Sequence, residues 1–373
     1  MRIGDILHIK NLILEYKKNN SNIHLNTKSK DILFVIPGPE SPGSGGHNTL
    51  AMFINFLSKK LKDNIYIFYY RCAFETTKEQ HQLFINGYDT CNKVKSIEKD
   101  ELNRFKFKHI IFTDHYSWFL QDVITGDKKF VFLQDWEHLF DAAGWVSVFA
   151  EYNLRRFDIY ICASKWLEDQ VKKFVKEARD KKIYSFELGI ESELNNLFSL
   201  KRKNNKKKKI SAYVRTSTPR RCWEIVREAY KELIIYESSN FEMSLFGMDC
   251  SDLIRESNFE VHVKNDGLLP KKKLPEYFLQ HDLILAFSAT NYNLILWDSI
   301  SVGTPVMDLD IKATEHIIHP LIIKTSPYPE DICSNIVKNI YLDHQKPSKQ
   351  FVKSLQWDSR ISKLWEGLKI EFI

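Results

Sequence analysis

The sequence predicts an α/β protein with two domains, each built around a parallel β-sheet that carries helices on both faces. The chain has 373 residues, which is too many for one ordinary core and enough for two domains of about 150 residues each. Continuous apolar runs, typical of buried parallel strands, alternate with helical stretches through both halves. A basic run at 201–209, K-R-K-N-N-K-K-K-K, separates the halves, so we place a joint near residue 205.

The first half begins with a mostly polar stretch, 1–30, which contains one amphipathic segment and is predicted to form a helix and a tether. The N-terminal domain then covers 31–205. Its strands are predicted at 31–40, 64–70, 109–113, 129–134, 156–163 and 183–188, and its main helices at 49–61 and 166–177. Because these strands alternate with helices, we expect them to form a parallel, doubly wound sheet.

The second half repeats this alternation, and the C-terminal domain covers 206–350. Its strands are predicted at 210–214, 241–246, 261–263, 283–286 and 305–308, and its helices at 222–233, 273–280 and 294–302. In the tail, 351–373, apolar residues recur at helical spacing between 353 and 370. We expect one amphipathic helix there, packed back on the N-terminal domain.

Composition and charge exclude several classes of protein. Hydrophobic residues make up 43% and aromatic residues 13%, as in globular domains. No segment reaches the roughly 18 apolar residues that span a bilayer, and the first residues do not resemble a secretory signal. The six cysteines form no C-x-x-C pair, so we expect free thiols in a reducing compartment and no metal site. The protein is therefore expected to be cytoplasmic.

The net charge of +6 is concentrated partly in the basic run at 201–209. Such runs are usually solvated linkers, which is the interpretation we favour. The alternative is a peripheral contact with the inner face of an anionic membrane, where clustered lysines are attracted. The run contains no stacking aromatic residue, so the sequence gives no support for nucleic-acid binding.

The most informative segment is 213–223, Y-V-R-T-S-T-P-R-R-C-W, at a predicted strand-to-helix turn. Arg215 and Arg220 lie five positions apart, and Pro219 stands where a first helical turn would begin. The hydroxyl residues between the arginines are Thr216, Ser217 and Thr218. Guanidinium groups, hydroxyls and the amides of a helix N-terminus suit a diphosphate. The alternative is a capped helix with solvated arginines.

A glycine-rich segment, 37–47, follows the first predicted strand and reads P-G-P-E-S-P-G-S-G-G-H. Gly45 and Gly46 would let the backbone approach a ligand, and His47 follows them before a helix predicted to begin near Asn48. The spacing is neither G-x-G-x-x-G nor a P-loop, so a dinucleotide site is not indicated. A plain surface loop is the alternative.

Two further segments of the first half place polar residues at the carboxyl ends of strands. In F-L-Q-D-W-E-H, 132–138, Gln134, Asp135 and Glu137 combine hydrogen-bonding groups with an aromatic residue, as sugar sites do. The same carboxylates could serve as an acid and a base, or the segment could be an ordinary polar loop. His115 also follows a strand, although a lone histidine is more often a packed or solvated residue.

In the second half, the segment 286–306 takes a strand end through small polar residues into a short helix. The candidate residues are Ser288, Thr290, Asn291 and the helix-borne Asp298. Small residues before a helix N-terminus suit a phosphate or sugar, and a carboxylate on the helix suits sugar hydroxyls. An ordinary capped helix is the alternative. Asp308-Leu309-Asp310 has a D-x-D spelling, but it follows a core strand and is not expected to bind metal.

Taken in order, these segments resemble the GT-B glycosyltransferases. More narrowly, they resemble glycosyltransferase family four, in its branch of bacterial rhamnosyltransferases that build surface polysaccharides such as O-antigen or capsule. The resemblance covers roughly residues 30–310. The segments that carry it are 36–47, 132–137, Ala143-Gly144, 213–224, 285–291 and G-T-P-V at 303–306.

The resemblance implies two Rossmann-like domains facing a central cleft, with a nucleotide sugar bound mostly by the second. Arg215 and Arg220 match the family's pair that neutralises the diphosphate leaving group, and Asp298 matches a Glu that holds the nucleotide ribose. Gly45 and Gly46 match a loop that approaches the diphosphate. Further donor contacts are expected from Thr216, Ser217, Ser288, Thr290 and Asn291. Sugar or acceptor contacts are expected from His47, His115, Gln134, Asp135 and Glu137, and of these we expect Asp135 to take part in catalysis.

The resemblance also implies a retaining, metal-independent enzyme that needs no cofactor. From the resemblance we expect dTDP-rhamnose as the donor and a growing, lipid-linked glycan as the acceptor. Two alternatives stay open: a GT-B transferase that uses a UDP- or GDP-hexose, and a non-catalytic GT-B-like module of a polysaccharide assembly complex. The second rests on two departures from the family pattern, Asp298 in place of Glu and Thr290 at a position where the family often has another Glu.

Overall fold

The computed structural model describes residues 10, 11, 13, 14, 29–102, 104–140, 144–191, 207–237 and 240–372. The chain forms two compact units, which are Met1–Glu187 with Ile361–Ile373, and Leu188–Arg360. We call them unit 1 and unit 2. Most of the predicted tether at 1–30, Ala143 and the predicted joint near residue 205, with 201–206 of the basic run, lie outside the described residues.

Unit 1 is built on a seven-stranded parallel sheet with the strand order β3-β2-β1-β4-β5-β6-β7. Residues 32–36 of the first strand have no exposed surface, as expected where helices cover both faces of a sheet. The strands are β1 Ser29–Pro37, β2 Ile65–Arg71, β3 Lys95–Ser96, β4 Lys106–Phe112, β5 Gly126–Leu133, β6 Ile159–Cys162 and β7 Lys182–Ser185.

Helices connect these strands, and side-chain caps define where some of them begin. Thr76 and Glu79 form a capping box at one helix start, and Ser164 accepts a hydrogen bond from the amide of Leu167 at another. The helices of unit 1 between the strands are α1 Gly45–Lys60, α2 Thr77–Gly87, α3 Lys99–Leu102, α4 Trp145–Leu154 and α5 Lys165–Phe174. Short 3₁₀ helices lie at Ser117–Leu120, Glu137–Phe140 and Lys176–Ala178.

Unit 2 is built on a six-stranded parallel sheet with the order β10-β9-β8-β11-β12-β13. Its strands are β8 Lys208–Tyr213, β9 Phe241–Phe246, β10 Val263–Gly267, β11 Leu283–Leu285, β12 Val306–Leu309 and β13 Ile322–Thr325. Its helices are α6 Trp223–Glu237, α7 Ser251–Glu256, α8 Leu274–Leu279, α9 Leu294–Ser301, α10 Pro329–Asn339 and α11 Lys349–Leu355.

The strand order reverses once in each sheet, between β1 and β4 in unit 1 and between β8 and β11 in unit 2. In open parallel sheets, ligands bind beyond the carboxyl ends of the strands at such a reversal. The segments that follow these four strands are among those predicted to have phosphate or sugar chemistry; the further segment 132–138 runs from the end of β5, next to β4 in the sheet. Topology therefore gives each unit one favoured place for a site.

Several elements differ from the sequence prediction. The strand predicted at 261–263 is Val263–Gly267, and the helices Thr77–Gly87, Trp145–Leu154 and Pro329–Asn339 were not predicted. The first of these helices buries only Gln80 and Phe84, so its apolar periodicity is weak. The second is apolar on more than one face, which also hides a helical period.

The tail forms two helices, whereas the sequence predicted a single one. After α11 ends at Leu355, Gln356 adopts an extended conformation and pairs with Ile190 in an isolated parallel bridge. A second helix, α12, then runs over Trp357–Leu368. Residues from Ile361 onward belong to unit 1, whereas α11 belongs to unit 2. The single apolar stripe of the sequence is therefore divided between the two units.

The last residues are held to unit 1 by the buried carboxylate of Glu371. It lies 2.6 Å from Lys182 Nζ and 3.3 Å from Lys128 Nζ, and it accepts a hydrogen bond of 2.9 Å from Tyr184. Burial by itself would raise the pKa of this carboxyl, but the bonds from Lys182, Tyr184 and Lys128 outweigh it and hold the pKa below its ordinary value.

We expect Glu371→Gln to destabilise the protein by about 2 kcal/mol at neutral pH, because charge-assisted hydrogen bonds to a buried carboxylate are lost. Since the folded pKa is depressed, this contribution is present above the ordinary value of 4.5 and lost as the pH falls through the folded pKa. Denaturant unfolding of both proteins should show the difference shrinking in acid. Glu366→Gln, on an exposed position of α12, is the matched control. Equal losses in both variants would contradict the assignment.

Candidate functional site

In unit 2, the loop after β8 is bonded to the loop after β11 at the reversal of strand order. The amide of Ala289 donates to the carbonyl of Arg220 at 2.9 Å, and the guanidinium of Arg221 donates to the Ser288 hydroxyl at 2.8 Å. Within the first loop, the amide of Thr218 donates to the carbonyl of Arg215 at 2.9 Å. These bonds bring together the segment that was predicted to bind a diphosphate and a second segment that was predicted to contact the phosphate or sugar of the donor.

A short 3₁₀ helix at Pro219–Arg221 lies between β8 and α6, and Pro219 opens it as the sequence predicted. The following residue, Cys222, has a φ of 55° in the left-handed region, so α6 begins one residue later than predicted. This break makes the turn separate from the long helix. It leaves Arg215 exposed and Arg220 half-buried.

The hydroxyl residues of the first loop have different environments. Thr216 directs both its amide and its hydroxyl toward Met248 Sδ, at 3.4 Å and 3.5 Å. Sulfur is a weak acceptor, so these donors are held only loosely. Ser217 is exposed. Both residues directly follow Arg215 in the chain, and a phosphate oxygen would be a stronger acceptor for the donors of Thr216 than the thioether.

From the sequence, Asp308 was considered only as part of a D-x-D spelling, and its role in supporting the loop after β11 from its position in β12 was missed. One carboxylate oxygen, Oδ1, accepts from the amides of Ser288 at 3.1 Å and Leu309 at 2.9 Å. The other, Oδ2, lies 4.0 Å from Lys324 Nζ. Burial raises the pKa of Asp308 to about 6, and Lys324 opposes that rise. The Asp308 carboxylate therefore fixes the backbone at Ser288, whose hydroxyl donates to the carbonyl of Asn291 at 2.6 Å.

Asp298 lies on α9, whose N-terminus is capped by the side chain of Asn293. Its side chain is buried, and burial raises its pKa to about 6, with the charge of Lys271 opposing and that of Glu191 adding to the rise. Lys271 and Glu191 pair with each other at 2.7 Å. Among the described residues, no hydrogen bond or ion pair engages the Asp298 carboxylate. A buried carboxylate of this kind is stabilised when a ligand hydroxyl donates a hydrogen bond to it.

The remaining predicted residues of unit 2, Thr290 and Asn291, are buried in the loop between β11 and α9. Asn291 accepts a hydrogen bond from the amide of Tyr292 through its side chain, at 3.1 Å. The amide nitrogen of the Asn293 side chain is buried and has no hydrogen-bond partner in the described part of the chain. This loop therefore presents polar groups close to the start of α9.

In unit 1, the glycine pair stands at a helix start and not in a loop. The sequence predicted a helix from about Asn48, but α1 begins at Gly45, and its first backbone bond runs from the Asn48 amide to the Ser44 carbonyl at 3.0 Å. The amides of Gly45, Gly46 and His47 precede that bond, so they face outward from the helix N-terminus. This is an arrangement that favours anions.

Two buried side chains hold the loop that leads into α1. Gln80 donates to the Pro39 carbonyl at 2.8 Å and packs so closely on Gly38 that a Cβ there would lie 2.3 Å from Gln80 Oε1. Tyr88 donates to the Ser41 carbonyl at 2.9 Å. The loop is thus fixed by contacts from α2 and from the residue that follows it. No alternation of apolar residues could have revealed these contacts.

His115 and Glu137, both predicted to contact a sugar or acceptor, meet beyond the ends of β4 and β5. The backbone amide of His115 donates to Glu137 Oε2 at 2.9 Å, and the His115 ring nitrogen Nδ1 lies 3.9 Å from the same oxygen. Burial raises the pKa of Glu137 to about 7, the His115 bond opposes this, and the charges of Asp114 and Asp135 add to it. Three carboxyl groups therefore share one region around a histidine.

Asp114 is the second residue that sequence reasoning missed, although it stands directly before His115. Its carboxylate accepts a hydrogen bond of 2.5 Å from Tyr70. It also lies within electrostatic range of His47, whose pKa is lowered by burial and whose Nε2 lies 2.9 Å from the Pro37 carbonyl. The position of Asp114 after a buried strand was the available signal.

Gln134 and Asp135 complete the group in unit 1. A Cβ added to Gly46 would lie 3.5 Å from the side-chain oxygen of Gln134, so Gln134 stands beside the helix N-terminus. Asp135 accepts a hydrogen bond from the amide of Trp136 at 2.8 Å. The structure thus brings Gly46, Gln134 and the Glu137 cluster into one region of unit 1.

Glu137 should make the stability of the protein depend on pH. Because its folded pKa, about 7, exceeds the ordinary value of 4.5, the folded state binds an extra proton between these values. The free energy of unfolding should therefore fall as the pH rises from 5 toward about 7. Glu137→Gln, which keeps an oxygen for the His115 amide, should flatten this dependence in denaturant unfolding. An unchanged pH dependence in the variant would contradict the assignment.

Within the described part of the chain, no group of three or more His, Cys, Asp or Glu side chains is arranged to hold a metal ion. Among the same residues, no helix has the length and apolarity needed to cross a membrane.

Comparison with known proteins identifies the fold. No protein-family model matches the chain, and no curated protein matches it in sequence. Solved structures do match it. A sucrose-phosphate synthase from Thermosynechococcus elongatus superposes with a TM-score of 0.66 at 12% identity, over 91% of this chain and 99% of that one. HepE from Anabaena, solved with UDP, gives a TM-score of 0.63 at 15% identity, over 91% of this chain and 100% of that one.

A variant of TarM from S. aureus, solved with fondaparinux, alpha-GlcNAc-glycerol and UDP, gives a TM-score of 0.61 at 9% identity, over 92% of this chain and 97% of that one. These similarities extend over almost the whole of each chain. Together with the seven- and six-stranded parallel sheets, they show that the chain has the GT-B fold of glycosyltransferases. The fold class predicted from the sequence is confirmed.

Proposed function

We propose that this chain is a glycosyltransferase that moves a hexose from a nucleotide sugar to a hydroxyl group of a glycan. The observation that carries the proposal is the pair of bonded loops at the strand reversal of unit 2, which combines arginines, hydroxyls and a helical turn. That combination suits a diphosphate. HepE, whose fold is similar, has been solved with UDP-glucose.

Arg215 and Arg220 would bind the donor diphosphate and stabilise the negative charge that grows on it as the glycosidic bond breaks. Fixed cations act on this charge in the transition state, so they lower the barrier without a metal ion. Thr216, Ser217 and Ser288 would add hydrogen bonds to the phosphate oxygens. We propose that the anomeric configuration is retained, as the family resemblance implies. The acceptor hydroxyl would attack the sugar on the same face from which the nucleoside diphosphate leaves.

Asp298 would accept hydrogen bonds from donor hydroxyls, with Thr290 and Asn291 lining the same loop. The buried carboxylate, without an ion pair among the described residues, supports this role. In unit 1, the N-terminus of α1, with Gly45 and Gly46, would approach the donor phosphates. His47, His115, Gln134 and Glu137 would bind sugar or acceptor hydroxyls, and Asp135 would take part in catalysis.

For the donor we propose dTDP-rhamnose, on the basis of the R-T-S-T-P-R-R and Q-D-W-E segments. The alternative is a UDP-hexose or GDP-hexose, and the UDP complexes of HepE and TarM favour the first of these. The acceptor would be a growing, lipid-linked surface glycan. The protein would act at the inner face of the cytoplasmic membrane. The basic run at 201–209 would contact that membrane only under its alternative interpretation, since we favour a solvated linker there.

A thermal-shift screen with dTDP-rhamnose, UDP-glucose and GDP-mannose tests the donor, since a ligand at a hundred times its Kd stabilises the folded state by about 2.7 kcal/mol. We expect one nucleotide sugar to raise Tm and to release its nucleoside diphosphate slowly in the absence of acceptor. A shift without release, even with acceptor glycans, would support the non-catalytic alternative. The absence of both shift and release for every donor would rule out the proposal.

A further inference from the structure

Helix α4 carries apolar side chains on two faces, and only one of them is covered. Val146, Ala150 and Leu154 are buried against unit 1. On the other side, four large side chains at helical spacing are between 50% and 64% exposed, namely Trp145, Val148, Phe149 and Tyr152. A helix that is apolar on both sides needs a second partner. This side therefore differs from the scattered single apolar residues of an ordinary surface.

The exposed surface continues beyond the helix. Leu139 and Phe140, in the 3₁₀ helix at Glu137–Phe140, are also exposed, and the ring of Phe119 lies 6.0 Å from that of Phe149. We define the outer α4 face as Leu139, Phe140, Trp145, Val148, Phe149 and Tyr152. None of these six residues is charged, and four are aromatic.

Cations stand at the border of the outer α4 face. The guanidinium of Arg156 lies 5.9 Å from the ring centre of Tyr152, although Asp122 pairs with it. The ammonium of Lys173 lies 4.8 Å from the exposed ring of Phe174, which packs on Trp136.

The positive charge of this border is not fully neutralised. Arg155 pairs with Glu151 and, at 3.8 Å, with Glu177, which places the end of α4 beside the 3₁₀ helix Lys176–Ala178. Lys173 and Lys176 have no ion pair among the described residues. The charge near the end of α4 is therefore mixed, with Arg155 and Arg156 paired to acidic side chains, while Lys173 in α5 and Lys176 in the following 3₁₀ helix add positive charge that is unpaired in the described part of the chain.

We propose that the outer α4 face binds the surface of an anionic lipid membrane. Trp, Tyr and Phe side chains favour the boundary between headgroups and hydrocarbon, and lysines beside them favour anionic headgroups. A two-fold contact between copies of the chain is disfavoured, because it would bring the same cations toward one another.

The inference does not depend on the proposed glycosyl transfer, but it has a consequence for that function. The ring of Phe140 lies 6.1 Å from that of His115, so the outer α4 face adjoins the polar cluster of Glu137. A membrane bound there would lie next to the residues proposed to bind the acceptor. A lipid-linked acceptor could then reach them without leaving the bilayer.

The test is sedimentation with vesicles of equal parts phosphatidylcholine and phosphatidylglycerol, with pure phosphatidylcholine for comparison. The full-length chain should bind the anionic vesicles. The double variant Val148→Asp with Tyr152→Ser should bind at least about tenfold more weakly, because it removes an aromatic anchor and places an anion on the face. The matched control is Val261→Asp with Tyr236→Ser, which makes the same changes at exposed positions of unit 2.

A second measurement uses a variant that leaves the outer α4 face apolar. Brominated lipids should quench tryptophan fluorescence of the bound wild type, and Trp145→Phe should reduce that quenching while binding persists. The inference is overturned if the wild type does not bind, if the face variant binds as well as the control variant, or if Trp145→Phe leaves quenching unchanged. It is also overturned if the face variant turns a dimer into a monomer in analytical ultracentrifugation, which would assign the face to a second copy.

Discussion

Replacing Arg215 and Arg220 together by alanine is expected to abolish detectable nucleotide-sugar binding and to lower kcat/KM by at least about a thousandfold. Removing a single preorganised group that stabilises transition-state charge commonly lowers kcat by about a hundredfold to a thousandfold, and here two cations are removed. The backbone of the site should survive. The carbonyls of Arg215 and Arg220, which bond to Thr218 and Ala289, are present in the variant as well.

This prediction is checked by calorimetry with the donor that the thermal-shift screen identifies, and by measuring release of the nucleoside diphosphate. Single variants should each show part of the loss. The control is Arg255→Ala, which removes an equally charged, exposed side chain from α7. A double variant that binds the donor and turns over like the control would show that the arginine pair is not the diphosphate site.

Replacing Asp308 by alanine is expected to have the largest effect on stability, about 3 kcal/mol. The variant leaves the amides of Ser288 and Leu309 without their acceptor, and each buried unsatisfied amide costs about 1–3 kcal/mol. Lys324 also loses its counter-charge. Removing a buried charge offsets part of this, because burial already disfavours the ionised Asp308. Donor affinity should fall roughly tenfold as the Ser288 loop loses its support.

A double-mutant cycle separates these contributions. Lys324→Met in the Asp308→Ala background should recover part of the lost stability, since it removes the unpaired ammonium. Asp308→Asn should lose less stability than Asp308→Ala, because its amide oxygen still accepts a hydrogen bond from the amide of Ser288. Chemical denaturation at neutral pH measures the wild type, Asp308→Ala, Lys324→Met, the double variant and Asp308→Asn. Asp310→Ala, at an exposed carboxylate two residues away, is the control and should be nearly neutral. An Asp308→Ala protein as stable as the control would refute the role of Asp308.

The fold was predictable because its signals are local. Buried parallel strands are continuous apolar runs, and β1, β8 and β12 were recognised on that basis, as was the alternation that makes the sheets parallel. Elements with few buried residues, such as α2, or with exposed apolar side chains, such as α4, carry no clean period and were missed. The division of the tail at Gln356 depends on Ile190, which is far away in the chain.

For the candidate site, residue types at strand ends could be found from the sequence, but their supports could not. Arg215, Ser288, Glu137 and Gly46 follow strands or precede helices, and that position alone made them candidates. Gln80, Tyr88 and Lys324 contribute through contacts with residues distant in the chain. Hydrophobic periodicity and motif spacing along the sequence do not reveal such contacts.

The sequence by itself therefore determined the two α/β units and the strand ends that hold the candidate residues, because hydrophobic periodicity and turn chemistry act over short stretches of chain. The GT-B class was indicated separately, by the resemblance of its motifs to a known family. The tertiary structure decided which of those residues meet. It joined the Arg220 and Ser288 loops, buried Asp308 and Glu137 so that their pKa values rise, and left one side of α4 uncovered. Burial and electrostatic environment depend on every element packed around a group, so only the folded chain fixes them.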